Sequence, residues 1–388
     1  MTWLLIFVPV TIGLEELAPE RYLLIFITSS LAILPLARWM GDATEQLATH
    51  FGEGVGGLLN ATFGNAAELI IALVALRAGL HDVVKASIVG SIIGNVLLVL
   101  GAAMLAGELR HNEQRFNAVA ARSQATMLVL AAIALILPAY FQSAVGTTTQ
   151  GLDRLSISIS IVLLLAYLLN LAFALVTHRA LFAGFHEADE RKKSTSKARA
   201  ISVLAGTTVG IAWMSEILVG TIEPATHELG LSKIFVGVFV VAVMGNAVEH
   251  ATAVFAAIKD RMDLSLSIAI GSSVQIALFV APVLVLASLF LGPMPMDLAF
   301  PAGLVLLVLV SVLITAQVAN DGRSDWLEGV QLSHHILGPR SHVVLRPDQS
   351  MSSRRRWTAR ICYAARRGPS SMSVKCQNIN VSPTYFPQ

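Results

Sequence analysis

Two short segments of this chain repeat each other, and each places a glutamate inside an apolar stretch. Residues 64–68 read GNAAE, and residues 245–249 read GNAVE. A charged group inside a bilayer costs at least a few kcal/mol, so intramembrane carboxylates are rare and most often functional. A glutamate that occurs twice in matched apolar surroundings is therefore typical of a membrane protein that handles ions and has internal symmetry.

The composition indicates a protein with many membrane spans. Hydrophobic residues make up 55% of the 388 residues and charged residues 13%, about half of the roughly 25% found in soluble domains. The net charge of +2 is too small to indicate nucleic acid as a partner. The two cysteines, Cys362 and Cys376, both lie in the last part of the chain, so we expect no disulfide framework or cysteine metal site in the membrane part.

Ten apolar runs approach or exceed the length of about 20 residues that a spanning helix requires. They cover residues 3–17, 22–40, 55–78, 84–106, 118–140, 155–177, 201–222, 234–258, 264–291 and 298–318. Lysine and arginine are concentrated in the loops that follow the even-numbered runs, so the positive-inside rule predicts a cytoplasmic N-terminus. The first run lacks a preceding basic region and a small-residue cleavage site, which predicts a short membrane helix and not a signal peptide.

The two glutamate motifs belong to an inverted repeat. A shift of 181 positions (245 minus 64), without a gap, also matches residues 90–91 to residues 271–272, both GS. The motifs fall in the third and eighth runs, and this odd separation means that the two copies cross the membrane in opposite directions. We predict a transporter domain at residues 1–332, with repeat one at about 20–180, a cytoplasmic loop at about 181–199 and repeat two at about 200–332.

A two-fold axis in the membrane plane would bring the two glutamates together, where they could neutralise one divalent cation. Each asparagine of the motif precedes its glutamate by three residues, which places amide and carboxylate on one helix face. The predicted ligands are oxygen donors: Glu68, Glu249, Asn65, Asn246, Ser91, Ser272 and Gln275. Such a set suits calcium, which takes six to eight oxygens in irregular geometry, better than zinc, copper or octahedral magnesium.

The same carboxylates predict exchange against protons. When the cation leaves, two facing glutamates in a medium of low dielectric constant cannot both stay charged cheaply, so they take up protons. Competition of protons and calcium for one site, with access alternating between the two sides, is sufficient for antiport. His250, directly after Glu249, and Glu216 in the seventh run are further candidates for proton coupling.

Each of these residues also has a purely structural interpretation. The glutamates could be neutral and hydrogen-bonded between helices, the asparagines could join helices, and the serines could bond to backbone. His250 matches Leu69 in the first repeat, and an unmatched histidine is more often a packed or hydrogen-bonded group. Glu216 likewise matches Pro35 and has no acidic counterpart.

The segments that carry these residues resemble the two signature repeats of the calcium/proton exchangers, within the calcium/cation antiporter superfamily. In the first repeat they are GNAAE and KASIVGSIIGN at residues 85–95, and in the second GNAVEH and GSSVQIA at residues 271–277. The resemblance runs to about Gln331, and the Glu-His pair with Gln275 favours the proton-coupled branch over the sodium/calcium exchangers. It implies eleven helices, one extra N-terminal helix and two inverted sets of five, with Glu68 and Glu249 binding calcium or protons. It also implies that helices 2 and 7 slide to alternate access.

The chain departs from that family pattern after Leu332. The repeat requires one more apolar helix as the partner of the sixth run, but residues 333–388 form a basic polar tail with both cysteines and no spanning run. A frameshift near Leu332 is the favoured explanation, and an authentic cytoplasmic tail is the alternative. We therefore expect the last helix to be missing or replaced. An inactive, truncated exchanger is then one of the alternatives.

The function expected from these observations is a secondary active transporter, and not an enzyme: a calcium/proton antiporter that exports cytosolic calcium. We expect no cofactor, and as partners calcium, protons and the lipid bilayer, with a homo-oligomer left open. A sodium/calcium-type exchanger and a calcium-permeable channel are the alternatives, although an inverted repeat favours a carrier over a channel. Because no N-terminal targeting extension is evident, a bacterial plasma membrane is the expected location.

Overall fold

The computed structural model of the chain describes residues 2–111, 113–145, 148–178 and 196–337. Nearly all of these residues are helical, and the described strands are one antiparallel pair, β1 (Gln114–Arg115) and β2 (Arg323–Ser324). Most of the expected cytoplasmic loop and residues 338–388 of the basic tail lie outside the described residues. The repeat, loop and tail boundaries therefore stay predictions.

The first half of the chain is built from long helices with one π-helical joint. The helices are α1 (Phe7–Leu17), α2 (Tyr22–Phe63), α3 (Ala66–Arg77), α4 (His81–Ile93), α5 (Leu100–Glu108), α6 (Ala118–Val145) and α7 (Thr149–Ala172). The π-helical segment Gly94–Val99 joins α4 to α5, so these two helices form one span. A second π-helical segment, Phe173–Thr177, extends α7.

The second half repeats this arrangement. Its helices are α8 (Lys197–Leu229), α9 (Lys233–Phe235), α10 (Ala242–Ile258), α11 (Met262–Gln275), α12 (Ala281–Ala287), α13 (Ala302–Val318) and α14 (Trp326–Leu337). The π-helical segment Val236–Val241 joins α9 to α10, and Ile276–Val280 joins α11 to α12. The α11–α12 joint matches the α4–α5 joint, and π-helical turns inside α-helices are frequent at functional sites.

The helices confirm an all-α polytopic membrane protein. Seven helical stretches of the described residues are long and apolar enough to cross a membrane, and Ala302–Val318 is a shorter apolar helix. The stretches His81–Glu108 and Met262–Ala287 are mostly buried, whereas only a small part of Gln150–Thr177 is buried. The α4–α5 and α11–α12 spans therefore form the centre of the molecule, and α7 lies nearer its periphery.

The boundary between the second and third apolar runs differs from the expectation of two separate helices. One helix, α2, covers Tyr22–Phe63, and the third run then breaks at Gly64 and Asn65 before α3 begins. A Cβ atom added at Gly56 would lie 2.4 Å from the carbonyl oxygen of Ala48. Eight residues of straight helix would rise about 12 Å, so the backbone turns back on itself within α2. The polar residues between the two runs are thus helical, and not a loop.

The last described helix crosses the boundary that the sequence places after Leu332. Helix α14 continues to Leu337, but twelve residues rise only about 18 Å, too little for a hydrocarbon core of roughly 30 Å. The helix packs closely on α5, because a Cβ at Gly329 would lie 2.8 Å from the carbonyl oxygen of Gly101. Leu332 is buried in this contact. The part of α14 before the boundary is therefore anchored in the core.

Candidate ion-binding site

The two glutamate motifs meet inside the molecule. Glu68 lies in the first turn of α3, and Glu249 lies within α10. A Cβ added at Gly245 would lie 3.1 Å from the Cβ of Glu68, and one added at Gly64 would lie 3.6 Å from Oε1 of Glu249. Each motif thus contributes a glycine that lies beside the other motif's glutamate.

Each carboxylate is held by a serine of its own repeat. The hydroxyl of Ser91, on α4, donates to Oε1 of Glu68. The hydroxyl of Ser272, on α11, lies 2.6 Å from Oε2 of Glu249. Both serines directly follow a glycine and precede a π-helical joint. The repeated GS pair therefore positions the two carboxylates in the same way in both halves.

Each serine is contacted in turn by the asparagine of the opposite repeat. The amide nitrogen of Asn246 donates to the Ser91 hydroxyl at 2.9 Å, and Oδ1 of Asn65 lies 3.0 Å from the Ser272 hydroxyl. The sequence predicts that each asparagine shares a helix face with its own glutamate, but its side chain contacts the serine beside the other one. The two repeats are therefore interlocked at the site.

Gln275 makes the two half-sites unequal. Its Oε1 accepts a hydrogen bond of 2.7 Å from the amide nitrogen of Asn65. The matched position in the first repeat is Gly94, which cannot provide such a group. All seven predicted ligands are thus brought together, with an additional amide on the Glu249 side.

Two oxygen atoms at this cluster have no hydrogen-bond partner among the described residues. They are Oε2 of Glu68 and Oδ1 of Asn246, and both are buried. A buried acceptor left without a partner costs about 1–3 kcal/mol, which binding of a cation or a proton would offset. No group of three or more His, Cys, Asp or Glu residues is placed to hold a metal in the described ranges. A cation here would be held by two carboxylates and neutral oxygens.

A cavity of about 400 Å³ reaches only one of the two carboxylates. Glu249, Ser272 and Gln275 line it, whereas the side chain of Glu68 is only 1% exposed. The cavity also includes Gln124 near the start of α6, Leu175 in the extension of α7, and Leu264 near the start of α11. These helix ends adjoin loops that the sequence predicts to be cytoplasmic.

His250 contacts a residue that the sequence analysis does not single out. Its Nε2 lies 2.8 Å from Oδ1 of Asn95, which is buried in the π-helical joint after α4. Neither residue lines the cavity. An asparagine inside an apolar run was the available signal, but Asn95 has Ile276 at the matched position and so lacks the support of the repeat.

Glu216 is not brought into the cluster. Its carboxylate forms an ion pair of 3.2 Å with Arg77, at the end of α3, and both side chains are largely exposed. The polar residues Gln124 and Asn170, which line the cavity, were also missed. Only their place inside apolar runs could have indicated them, and a single amide in such a run is not specific.

Comparisons with known proteins identify the family. The profile of the family described as "Sodium/calcium exchanger protein" matches residues 21–176 and 199–333. A protein of Synechocystis named "Ca(2+)/H(+) antiporter" is 47% identical over 325 residues, which cover 79% of this chain and 87% of that protein. "Ca(2+)/H(+) antiporter ChaA" of Bacillus subtilis is 42% identical over 313 residues, which cover 79% of this chain and 88% of that protein.

A solved structure shows the same fold. "Structure of native YfkE" superimposes with a TM-score of 0.73 at 38% identity, covering 85% of this chain and 94% of the other. The family match ends at residue 333, next to the position after which the basic tail begins. The chain therefore belongs to the sodium/calcium exchanger protein family and, within the calcium/cation antiporter superfamily, to the calcium/proton exchangers.

Proposed function

We propose that this protein is a secondary active transporter that exports cytosolic calcium in exchange for protons by alternating access. The observation that carries the proposal is the meeting of Glu68 and Glu249 from two inverted motifs, with a cavity that reaches Glu249 only. The names of the related antiporters support the choice of calcium and protons.

Calcium would be bound between the two glutamates. Its shell of six to eight oxygens would draw on both carboxylates, the serine hydroxyls, the asparagine and glutamine amide oxygens, and water from the cavity. The partnerless oxygens of Glu68 and Asn246 support this assignment, because each has a lone pair that the protein does not use. Neutral oxygens between the charges avoid the repulsion that a third carboxylate would add.

Protons would replace calcium on the same carboxylates. Two carboxylates held close together in a medium of low dielectric constant repel each other, and protonation of either removes that repulsion. His250 follows Glu249 in the chain, and its hydrogen bond to Asn95 would fix its ring as a proton relay. The pairing of Glu216 with Arg77 gives that carboxylate no part in the proposed coordination, and its part in proton coupling stays a prediction.

The proposed setting is a bacterial plasma membrane with a cytoplasmic N-terminus. The cavity then faces the cytosol, since it lies among helix ends that adjoin the basic loops. This is the state in which an exporter collects calcium. The bacterial source of two relatives supports the plasma membrane over an organelle.

The test is calcium uptake into inside-out vesicles under an imposed proton gradient. Uptake should require the gradient, saturate with calcium, and be lost in Glu68→Gln and in Glu249→Gln. Glu223→Gln is the matched control, because Glu223 is an exposed glutamate paired with Lys233 at the end of α8. Uptake in this control should match the unmodified chain.

The alternatives predict different results in the same vesicles. A sodium/calcium-type exchanger would take up calcium under a sodium gradient at constant pH. A channel would show flux that does not saturate and does not depend on the proton gradient. Flux that is unchanged in both glutamate variants would contradict the site.

A further inference from the structure

Two helices from opposite repeats cross in close backbone contact beside the serine that holds Glu68. If the repeats are inverted, this crossing lies on the face opposite the cavity, because its matched residues line the cavity. A Cβ added at Gly90, on α4, would lie 2.4 Å from the carbonyl oxygen of Val238, in the π-helical segment before α10. A Cβ added at Gly237 would lie 2.6 Å from both the Cβ of Ala86 and the carbonyl oxygen of Val83. Real Cβ atoms do not approach other heavy atoms so closely, so this crossing requires glycine on both helices.

The matched residues of the second repeat form no such contact. The shift of 181 positions turns Val83, Ala86 and Gly90 into Leu264, Ser267 and Gly271, and all three of these line the cavity. The nearest atom to a Cβ at Gly271 would be Nε2 of Gln124, at 3.8 Å. The same three positions are thus closed in one repeat and open in the other.

The glycine on the other helix of the crossing also makes a close contact in one repeat and not in the other. Gly237, in the closed crossing, matches Gly56. A Cβ at Gly56 would touch Ala48 of its own helix, and the nearest atoms around it include none of α11. Gly56 therefore forms no crossing with α11 as close as the one that Gly237 forms with α4.

We propose that Gly90 and Gly271 are the two seals of one conformational switch. In the described state the Gly90 crossing is closed; in the alternate state Gly271 would close on the segment around Gly56, and the Gly90 crossing would open. Packed interfaces of this kind switch between discrete arrangements and do not deform continuously. Each glycine directly precedes the serine that holds a carboxylate, so closing a seal also moves the group that positions a glutamate. This inference rests on the proposed alternating access.

The test uses alanine at each seal and a cysteine reporter on each face. In a background with Cys362→Ser and Cys376→Ser, Thr252→Cys reports the cavity face, because Thr252 lines the cavity. Ile71→Cys reports the other face, because Ile71 is the matched residue and is fully buried in the described state. The labelling rate by a thiol reagent is measured on the purified full chain in nanodiscs, without calcium or a pH gradient.

The two alanine variants should shift the labelling rates in opposite directions. Gly90→Ala opposes the described state, so Ile71→Cys should be labelled faster by about tenfold, which corresponds to about 1.4 kcal/mol. In Gly271→Ala the added methyl group fits into the described state, but it would hinder closure of the cavity. Ile71→Cys should then be labelled more slowly, while Thr252→Cys keeps or increases its rate.

Labelling rates that move in the same direction in both variants, or in neither, would overturn the proposal. If Gly90→Ala does not fold, the Gly271→Ala variant decides alone, because its new methyl group meets no atom closer than 3.8 Å in the described state. An unchanged rate at Ile71→Cys would then refute the switch. Since the labelling is measured without calcium and without a pH gradient, this failure is distinct from a failure of calcium/proton exchange, which the vesicle experiment detects.

Discussion

At the scale of single residues, the partner of each serine hydroxyl decides its role. Ser272 contacts Glu249, whereas the adjacent Ser273 donates to the carbonyl oxygen of Ala269 in its own helix. The first repeat shows the same contrast between Ser91 and Ser87, which donates to the carbonyl oxygen of Val84. In each of these helices, one serine thus binds a carboxylate, and another donates its hydroxyl hydrogen to a backbone carbonyl of the same helix.

Ser272→Ala should raise the calcium concentration for half-maximal uptake by about tenfold or more. A hydrogen bond to a charged group contributes about 1.5–3 kcal/mol, and its loss leaves the Glu249 carboxylate less well positioned. Ser273→Ala is the matched control, because it removes a hydroxyl of the same helix that does not contact the site. Equal effects of the two substitutions on uptake kinetics would contradict the assignment.

The clustering of the seven candidate ligands could be predicted because the repeat presents most of them twice. Which of these side chains contact each other could not be predicted from the sequence. A side chain that shares a helix face with Glu68 or Glu249 can still contact the opposite repeat, as Asn65 and Asn246 do. The contact between His250 and Asn95 joins different repeats and has no matched copy. Only the folded chain shows which unmatched polar residues meet.

At the scale of elements, the clearest difference between sequence and structure is the turn within α2. The polar residues between two apolar runs indicated a loop, but the backbone stays helical while it reverses. Apolar periodicity does not show such a reversal, because it depends on the close approach of Gly56 to Ala48. The order of the later helices, in contrast, follows the apolar runs closely.

Gly56→Ala should lower the melting temperature. The added methyl group would meet the Ala48 carbonyl oxygen at 2.4 Å, and overpacking of this kind costs about 1–3 kcal/mol. Gly206→Ala is the control, since Gly206 lies within α8 with no atom within 4 Å of the added Cβ. That variant should melt at the same or a higher temperature, because alanine favours helix over glycine by about 1 kcal/mol. A scanning measurement in detergent that ranks them in the reverse order would refute the turn.

We expect Glu328, on helix α14, to make the stability of the folded chain depend on pH. Burial, together with the nearby charges of Asp325 and Asp321, raises the pKa of the Glu328 carboxyl from the ordinary value of 4.5 to about 7. The folded chain then binds more protons than the unfolded chain between these values, so stability falls as the pH rises from about 4.5 to about 7.

Glu328→Gln should remove this part of the pH dependence. We expect the variant to be more stable than the unmodified chain at alkaline pH, with the difference vanishing in acid, as measured by melting temperature across pH. Glu228→Gln, at an exposed position near the end of α8, is the control. A stabilisation by Glu328→Gln that is the same at all pH values would contradict the shifted carboxyl.

At the scale of the whole molecule, the two halves share one site but differ at their ends. In the first half, α7 contributes Tyr167, Asn170 and Leu171 to the wall of the cavity. The helix that should match α7 would follow Leu332, where the sequence becomes basic and polar. The repeat therefore predicts that the cavity of the alternate state, on the opposite face, needs a helix after Leu332 as one of its walls.

Replacing residues 333–388 by an apolar helix of spanning length should raise both calcium uptake and the melting temperature. The new helix would form this wall and extend the anchored part of α14, whose Leu332 is already buried. Deletion of residues 346–388 is the control and should change neither quantity. If the chain transports fully without the added helix and gains no stability from it, the tail is authentic.

The central claim is that calcium and protons compete for Glu68 and Glu249, and the most direct test is the number of protons released when calcium binds. Calorimetric titration of the purified chain with calcium, in buffers of different ionisation enthalpy, measures that number. We predict proton release that decreases in Glu68→Gln and in Glu249→Gln. Calcium binding without proton release, or with release unchanged in both variants, would contradict a shared site.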